Sequence, residues 1–185
     1  MAVLLIAAFL AYPVVFALRG EYELDSDLPL HLTDVVTVVA ALALWNPRPS
    51  LRFELTYFWG LTASALAVVT PGLSASEGFS SFIYWQYFAT HSGVVVAALF
   101  LAFGLGLTPR SGAIGSVFLA TAAWAAVAAL GNTITGGNYM FLSQQPETPS
   151  LLDYMGPWPW YIVGSALLAL ALFALLDVPF RGRPR

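Results

Sequence analysis

Long runs without a charged side chain dominate this sequence. Only 9% of the 185 residues are charged and 59% are hydrophobic, which leaves too little charge to cover the surface of a soluble protein. Most of the uncharged runs can hold a helix of about 20 residues, the length needed to cross the hydrocarbon core of a bilayer. We therefore expect an integral membrane protein.

Six apolar segments are predicted as spanning helices, and the whole chain, 1–185, as one membrane domain. The segments are continuous runs rich in Ala and Leu, without the alternation of barrel strands, and turn signals such as "NPRPS" and "GGN" separate them. The predicted fold is an all-α polytopic transmembrane helix bundle with spans at about 1–18, 28–46, 54–70, 82–107, 113–132 and 157–177. The first run lacks the basic start of a signal peptide, so we expect it to be retained.

Arginine placement predicts the orientation of the bundle, because short cytoplasmic loops are enriched in Arg and Lys. One side of the predicted helices carries Arg48, Arg52, Arg110, Arg181, Arg183 and Arg185. The other side carries only Arg19, beside an acidic stretch at 21–27. Both termini are therefore predicted to be cytoplasmic in a multi-pass protein of the cell membrane. The acidic stretch and the longest connector, 133–156, are predicted to face outward.

Composition narrows the chemistry and the partners. The chain has no cysteine and no lysine, which excludes thiolate and Schiff-base catalysis. A net charge of −3, without a basic cluster beyond the short arginine tail, argues against nucleic acid. Membrane lipids are the predicted partners. The small-residue runs "AAWAAVAALG" and "GSALLALALFA" permit close helix packing within one chain or in a homo-oligomer.

The only two histidines, His31 and His91, limit where a histidine base can act. At 1.5 Å per residue, counting from the predicted inner helix ends puts Thr33 roughly 9 Å and His91 about 6 Å below the outer surface. Thr33 and His91 are therefore predicted to lie at similar depths. A threonine hydroxyl becomes a useful nucleophile only beside a base, and His91 is the candidate base. Asp34 or Tyr87 could orient this pair, and both Tyr87 and Tyr84 precede His91 on the same helix face.

The connector 133–156 and the residues after it form a second polar region. "QQPETPS" breaks regular structure, and "GPWPWY" places indoles at the start of the last helix, as at a membrane interface. The region is interpreted as an interfacial loop, as a lid over the outer helix ends, or as both. The candidate catalytic residues are Thr33, His91 and Asp34, and the candidates for binding or orienting a substrate are His31, Tyr84, Tyr87, Asn132, Asn138 and Trp158.

Each candidate also has a purely structural interpretation. A threonine in a spanning helix commonly bonds back to the helix backbone, and a histidine there can join helices through hydrogen bonds. Asp34 could stabilise the positive N-terminus of its helix rather than serve a site. His31, His91 and Asp34 match a facial metal triad by residue type, but no ligand-spacing motif supports it, and neither a metal nor a cofactor is predicted. Glu54, near the inner boundary, is expected to be solvated.

Four stretches carry a resemblance to a known family: "LPLHLTD", "FELTYFWGL", "YFATHSG" and "GGNYMFLSQQPETPSLLDYMGPWPWYI". Over about residues 25–178 the chain resembles the YwaF-type family of bacterial integral membrane proteins, whose members usually carry one more helix before the one that opens this chain. That family is related to the transmembrane protein 164 acyltransferases of animals, which make polyunsaturated ether phospholipids. The resemblance implies that Thr33 stands where those acyltransferases have their acyl-carrying cysteine and that His91 is the partner histidine. The androgen-induced family of membrane hydrolases is similar in using a threonine with a histidine on lipid esters.

The predicted function is therefore lipid acyl transfer within the membrane, as an acyltransferase or a lipid ester hydrolase with a Thr33–His91 pair near the outer face. The alternative is a non-enzymatic membrane protein that binds or passes a lipid or small solute through the same polar pocket. The absence of a strong nucleophile favours this alternative, and both interpretations stay open at the level of sequence.

Overall fold

The structure, a computed structural model, describes residues 1–74, 77–147 and 149–182, and every regular element in these ranges is helical. The longer elements are α1 (Ala2–Arg19), α2 (Leu32–Trp45), α3 (Leu51–Trp59), α4 (Ala65–Val69), α5 (Phe82–Leu99), α6 (Ala113–Thr135) and α7 (Trp160–Asp177). A π-helical segment, Gly60–Ser64, joins α3 to α4, and a second, Phe100–Gly104, extends α5. Short 3-10 turns lie at Tyr139–Phe141, Leu151–Tyr154 and Val178–Phe180. The predicted all-helical class is confirmed.

Four helical stretches are long and apolar enough to cross a bilayer: Ala2–Arg19, Phe82–Gly104, Ala113–Thr135 and Trp160–Phe180. The other two predicted spans also fold as helices. Of these, α2 has only 14 residues, because the chain before Leu32 stays irregular, and the stretch 51–69 changes to π-helix in its middle. Crossing by all six helices and the cytoplasmic placement of the termini stay predictions. Arg183 and Arg185, used for that orientation, lie outside the described residues.

Capping residues determine where several helices begin and end. α1 ends at Gly20, whose φ of 70° is accessible to glycine at little cost. α3 and α5 begin after Ser50 and Ser81, whose hydroxyls accept backbone N–H groups of the first turn at 3.5 and 3.1 Å. These caps satisfy donors that the helix itself leaves unpaired.

The core of the bundle forms where α2 and α5 meet. α2 packs against α1, α3 and α5, and α5 packs against α1, α3 and the π-helical segment Gly60–Ser64. Gly60 permits a close approach of the helices, since a Cβ at this position would lie 3.1 Å from Val94 Cγ1. The facing surfaces bury Val36, Ala40, Phe53, Phe58, Val94 and Leu101 completely. This packing holds the polar N-terminal end of α2 beside α5.

The outward surfaces of the long helices are apolar. Leu18 is 83% exposed and Ile134 75% exposed in the isolated chain, which is favourable in contact with lipid and costly in water. Gly131 and Gly164, from the two small-residue runs, pack against side chains of the same chain. Homo-oligomerisation through those helix faces stays a prediction.

Candidate active site

Tyr139, in the turn after α6, ties together the segments at one end of the bundle. It is completely buried, and its backbone N–H donates to Asn132 Oδ1 at 2.7 Å while its carbonyl accepts from Asn132 Nδ2 at 3.1 Å. Its hydroxyl donates to the Leu24 carbonyl at 2.8 Å and accepts the Leu28 N–H at 3.0 Å. Burial raises the pKa of this hydroxyl, so it stays protonated and able to donate. The turn after α6 and the acidic loop before α2 are thereby joined.

His31 precedes α2 and contacts the same turn. Met140 donates its backbone N–H to His31 Nδ1 at 3.3 Å, and the rings of Tyr139 and Phe141 lie 5.5 Å from the imidazole. Met140 and Phe141 both have a φ of 54°, a left-handed conformation that costs non-glycine residues of order 1–3 kcal/mol. Because Nδ1 accepts a hydrogen bond, the neutral ring carries its proton on Nε2.

Asp34 stabilises the start of α2. Its Oδ2 accepts the His31 N–H at 3.0 Å, which is half of a capping box and places a carboxylate at the positive end of the helix. Asp34 also lies near the acidic loop, where burial and the negative charges of Asp27 and Asp34 raise the pKa of Tyr22. Among the residues described, Asp34 forms no hydrogen bond with His91, and no His/Asp/Glu cluster could hold a metal ion. The geometry supports the structural interpretation of Asp34.

Thr33 differs from the other helical threonines. Thr37, Thr56, Thr62, Thr90, Thr121, Thr133 and Thr135 each donate their hydroxyl to a carbonyl three or four residues earlier. Thr33 is the second residue of α2, so no helical carbonyl precedes it at that distance. Its hydroxyl makes no hydrogen bond to any residue that the structure describes. The backbone-bonded interpretation is therefore wrong for Thr33, and its hydroxyl is available for another partner.

His91 lies on α5 with one face and one nitrogen fixed. Its ring stacks on Tyr87 with 4.0 Å between centroids, and its Nδ1 lies 2.7 Å from the Tyr87 carbonyl. A carbonyl can only accept, so the proton is on Nδ1 and Nε2 carries the lone pair. Tyr87 itself is fixed by donating its hydroxyl to the Ala67 carbonyl at 3.0 Å. The imidazole is therefore oriented, and its basic Nε2 makes no hydrogen bond to any residue in the described ranges.

The structure brings the N-terminal end of α2 and the His91 turn of α5 to the same region. α2 packs directly on α5, and His31 and His91 lie close enough that a positive charge on one would disfavour a positive charge on the other. Within the described ranges no hydrogen bond joins the Thr33 hydroxyl to His91. α2 and α5 are therefore close to each other, but the described residues show no direct contact between Thr33 and His91.

The remaining candidates lie around this region and serve mainly to build it. Asn132 holds Tyr139, and Asn138 accepts backbone N–H groups of Ser143 and Gln144, both at 3.1 Å. Trp158 donates its indole N–H to the Leu142 carbonyl at 3.0 Å and borders an open cleft of about 280 Å³.

Tyr84, the last of these candidates, is part of an aromatic cluster. Its ring lies 4.8 Å from the rings of Phe79 and Phe88. No contact of Tyr84 with His91 is seen in the described part of the chain. Tyr84 therefore packs at the start of α5 rather than orienting the imidazole.

Glu54 corrects an expectation from the sequence. It was expected to be solvated, but its side chain is completely buried and accepts Arg110 Nε and Nη2 at 2.8 Å each. Its Oε1 also accepts the Arg110 backbone N–H at 2.9 Å. The carboxylate raises the pKa of the Arg110 guanidinium above its ordinary value. The pair joins α3 to the loop before α6 at the end of the bundle opposite Thr33.

Sequence reasoning missed Tyr139, which builds this end of the bundle, and the buried hydroxyl of Ser64. Tyr139 belongs to the quoted "GGNYMFL" stretch, so its motif was visible although its contacts were not. Ser64 is a serine in an apolar run, and nothing in its sequence neighbourhood distinguishes it. Its burial became evident only from the packing of the π-helical segment against α5.

Comparison with known proteins identifies the family. A sequence model of the TMEM164 family matches residues 1–177, nearly the whole chain. No curated protein and no solved structure matches the chain. The match agrees with the resemblance drawn from the sequence at the level of the broader family, without specifying a YwaF-type member. The chain belongs to the TMEM164 family and is a multi-spanning membrane protein.

Proposed function

We propose that this protein is a membrane-embedded lipid acyl-transfer enzyme, an acyltransferase or a lipid ester hydrolase, in which Thr33 is the nucleophile and His91 the base. The observation that carries the proposal is the 2.7 Å contact between His91 Nδ1 and the Tyr87 carbonyl oxygen. The His91 Nδ1–H is held by the Tyr87 carbonyl, which leaves Nε2 as a base on the helix that packs against the N-terminal end of α2. At that end of α2, the Thr33 hydroxyl makes no hydrogen bond to any other part of the chain that the structure describes.

The chemistry follows from these two groups. Thr33 Oγ attacks the carbonyl carbon of a lipid ester while its proton passes to His91 Nε2. The tetrahedral intermediate then loses its alkoxide leaving group, whose oxygen takes the proton from Nε2, and an acyl ester remains on Thr33. Water or an acceptor alcohol then attacks this ester in the same way, which regenerates the hydroxyl and releases a fatty acid or a new ester.

The surrounding residues act as positioning groups in this proposal. Tyr87 fixes the plane and tautomer of His91, and Asp34 stabilises the first turn of α2 that carries Thr33. His31 and the Tyr139 turn close the region from the loop side. We expect the reaction to occur in the outer half of the cell membrane, with membrane lipids as substrates and no cofactor. The reactive pair must approach each other on substrate binding, since apo geometry often lacks catalytic hydrogen bonds.

A second candidate function is reversible binding or passage of a lipid or small solute through the same region. The observation that favours it is that the Thr33 hydroxyl makes no hydrogen bond with His91 within the described ranges. In this case the same polar groups bind a headgroup or carbonyl without covalent chemistry.

Substitution of the reactive pair tests the enzymatic proposal. Purified Thr33→Ala and His91→Ala variants in lipid nanodiscs should lose phospholipid acyl turnover by at least about 100-fold while retaining the wild-type melting profile. Thr37→Ala is the matched control, since its hydroxyl is one helical turn away but bonds to the Thr33 carbonyl, and its turnover should stay near wild type. Wild-type activity in either of the first two variants would refute the pair.

A further inference from the structure

Ser64 is completely buried, and its Oγ has no hydrogen-bond partner among the residues that the structure describes. It is the single buried side-chain polar atom in those ranges with this property. A buried hydroxyl without a partner destabilises a fold, and native proteins rarely keep one without a use. Ser64 therefore requires an explanation that the bundle itself does not provide.

Ser64 lies in the π-helical segment and lacks the local partner that a helical serine commonly has. In an α-helix a serine hydroxyl can donate to the carbonyl four residues earlier, which for Ser64 is that of Gly60. The Gly60 carbonyl accepts the backbone N–H of Ala65, five residues later, and the Ser64 hydroxyl does not donate to it. Thr62, in the same segment, still donates to the Phe58 carbonyl at 2.6 Å. Single π-helical turns within α-helices occur frequently at functional sites.

Two contacts fix the level of Ser64 against α5. Gly60 lies against Val94, and the Ala67 carbonyl accepts the Tyr87 hydroxyl. Gly60, Ser64 and Ala67 follow one another at the spacing of a single helix face. The two helices run in opposite directions, so Ser64 lies opposite the turn of α5 midway between Tyr87 and Val94.

That turn carries His91, and α2 brings Thr33 to the same level. α2 and α3 form an antiparallel pair joined by the turn at 46–50, and they pack closely along their lengths. Thr33 and Ser64 are separated from the middle of that turn by about the same number of residues. They therefore lie at similar heights along the pair of helices. Two hydroxyls and one imidazole nitrogen, from three helices, therefore lie at about the same height in the bundle, and none of these three polar atoms has a partner in the described residues.

We propose that the Ser64 hydroxyl binds the carbonyl oxygen of a lipid ester at the Thr33–His91 site and donates a hydrogen bond to it. The role of Ser64 in the reaction rests on the proposed function, whereas its binding of an ester carbonyl does not. In the reaction, negative charge develops on that carbonyl oxygen when Thr33 attacks, and a buried donor stabilises it. Before reaction, the same donor distinguishes a lipid with an ester carbonyl from an ether lipid, which has none.

The test compares Ser64→Ala with the control Ser165→Ala, whose hydroxyl already donates to the Tyr161 carbonyl at 2.7 Å. Thermal unfolding is measured in micelles containing a diacyl phospholipid or its dialkyl ether analogue. The wild type and Ser165→Ala should be stabilised more by the diacyl lipid, and Ser64→Ala should lose this preference. Ser64→Cys, which has a weaker donor of similar size, should retain a reduced preference. A wild-type preference in Ser64→Ala would overturn the inference.

Turnover separates this inference from the proposed function. If the protein is an acyl-transfer enzyme, Ser64→Ala should lower kcat by about 100-fold with a much smaller change in KM, as expected for a donor to the developing oxyanion. A wild-type protein that turns over no ester, but whose preference for diacyl lipid disappears in Ser64→Ala, would refute the acyl-transfer function and support the carbonyl site. Wild-type kcat in Ser64→Ala, with turnover lost in Thr33→Ala, would overturn the role of Ser64 and leave the function intact.

Discussion

Removal of Arg110 should destabilise the protein strongly, because it leaves the Glu54 carboxylate buried without its charge partner. Glu54 is 0% exposed and loses two hydrogen bonds of 2.8 Å in Arg110→Ala, although the backbone N–H of residue 110 still donates. Breaking a buried pair by removing one partner costs about 3–5 kcal/mol. The Arg110 side chain is 51% exposed, so water can partly replace it, and we expect a loss of about 2–3 kcal/mol.

The measurement is the free energy of unfolding from reversible denaturation in mixed detergent micelles. Glu54→Gln removes the buried charge and keeps a side-chain acceptor, so it should lower the free energy of unfolding by less than Arg110→Ala does. The double variant should lose less stability than the sum of the losses in the two single variants. Arg48→Ala, an exposed arginine without an ion pair in the described residues, is the control and should stay within about 0.5 kcal/mol of wild type. The reasoning would be refuted if the stability losses of the two single variants were additive in the double variant. It would also be refuted if Arg110→Ala lowered the free energy of unfolding no more than Arg48→Ala.

Two further predictions concern the end of the bundle near the candidate site. Tyr139→Phe removes a hydroxyl that makes two backbone hydrogen bonds, so unfolding should become easier by about 1–3 kcal/mol. The pKa of Tyr139 is higher in the folded state than in the unfolded state. The stability contributed by its hydroxyl is therefore present below about pH 10 and is lost as the pH rises through the folded-state pKa. Tyr139→Phe should consequently lose less stability than the wild type at alkaline pH. Gly137→Ala would drive a Cβ into the backbone carbonyl of Asp25 and should lower Tm and lipid turnover, while Gly115→Ala, where a Cβ meets nothing, should leave both near wild type or raise Tm. An unchanged alkaline stability profile in Tyr139→Phe, or a wild-type Tm in Gly137→Ala, would contradict the packing described here.

The helices were predictable because their signal is local. Each apolar run appears as a helix. The prediction that Thr33 and His91 lie at similar depths relies only on the constant rise per residue of an α-helix. The start of α2 was placed too early, at about 28, because the apolar residues before Leu32 pack in an irregular segment, with the Leu30 carbonyl accepting the indole N–H of Trp124 at 3.1 Å.

The pairings that build the site were not predictable, because they join residues far apart in the chain. Glu54 meets Arg110, and Tyr139 meets Leu24 and Leu28, through contacts that no local pattern encodes. Ser64 lies where the helix changes from α to π within a continuous apolar run, and the sequence carries no signal for that change. The role of Asp34 was open for a different reason, since capping and catalysis favour the same residue at the start of a helix.

An acyl ester on Thr33 is the intermediate of the proposed acyl transfer, and its detection tests that function directly. Purified protein is incubated with mixed phospholipids or a lipid p-nitrophenyl ester, and its intact mass and peptides are analysed by mass spectrometry. We expect the mass of one acyl chain on Thr33 in the wild type and none in His91→Ala. Acylation of another residue, acylation of Thr33 that persists in His91→Ala, or reversible lipid retention without any adduct would contradict the central claim.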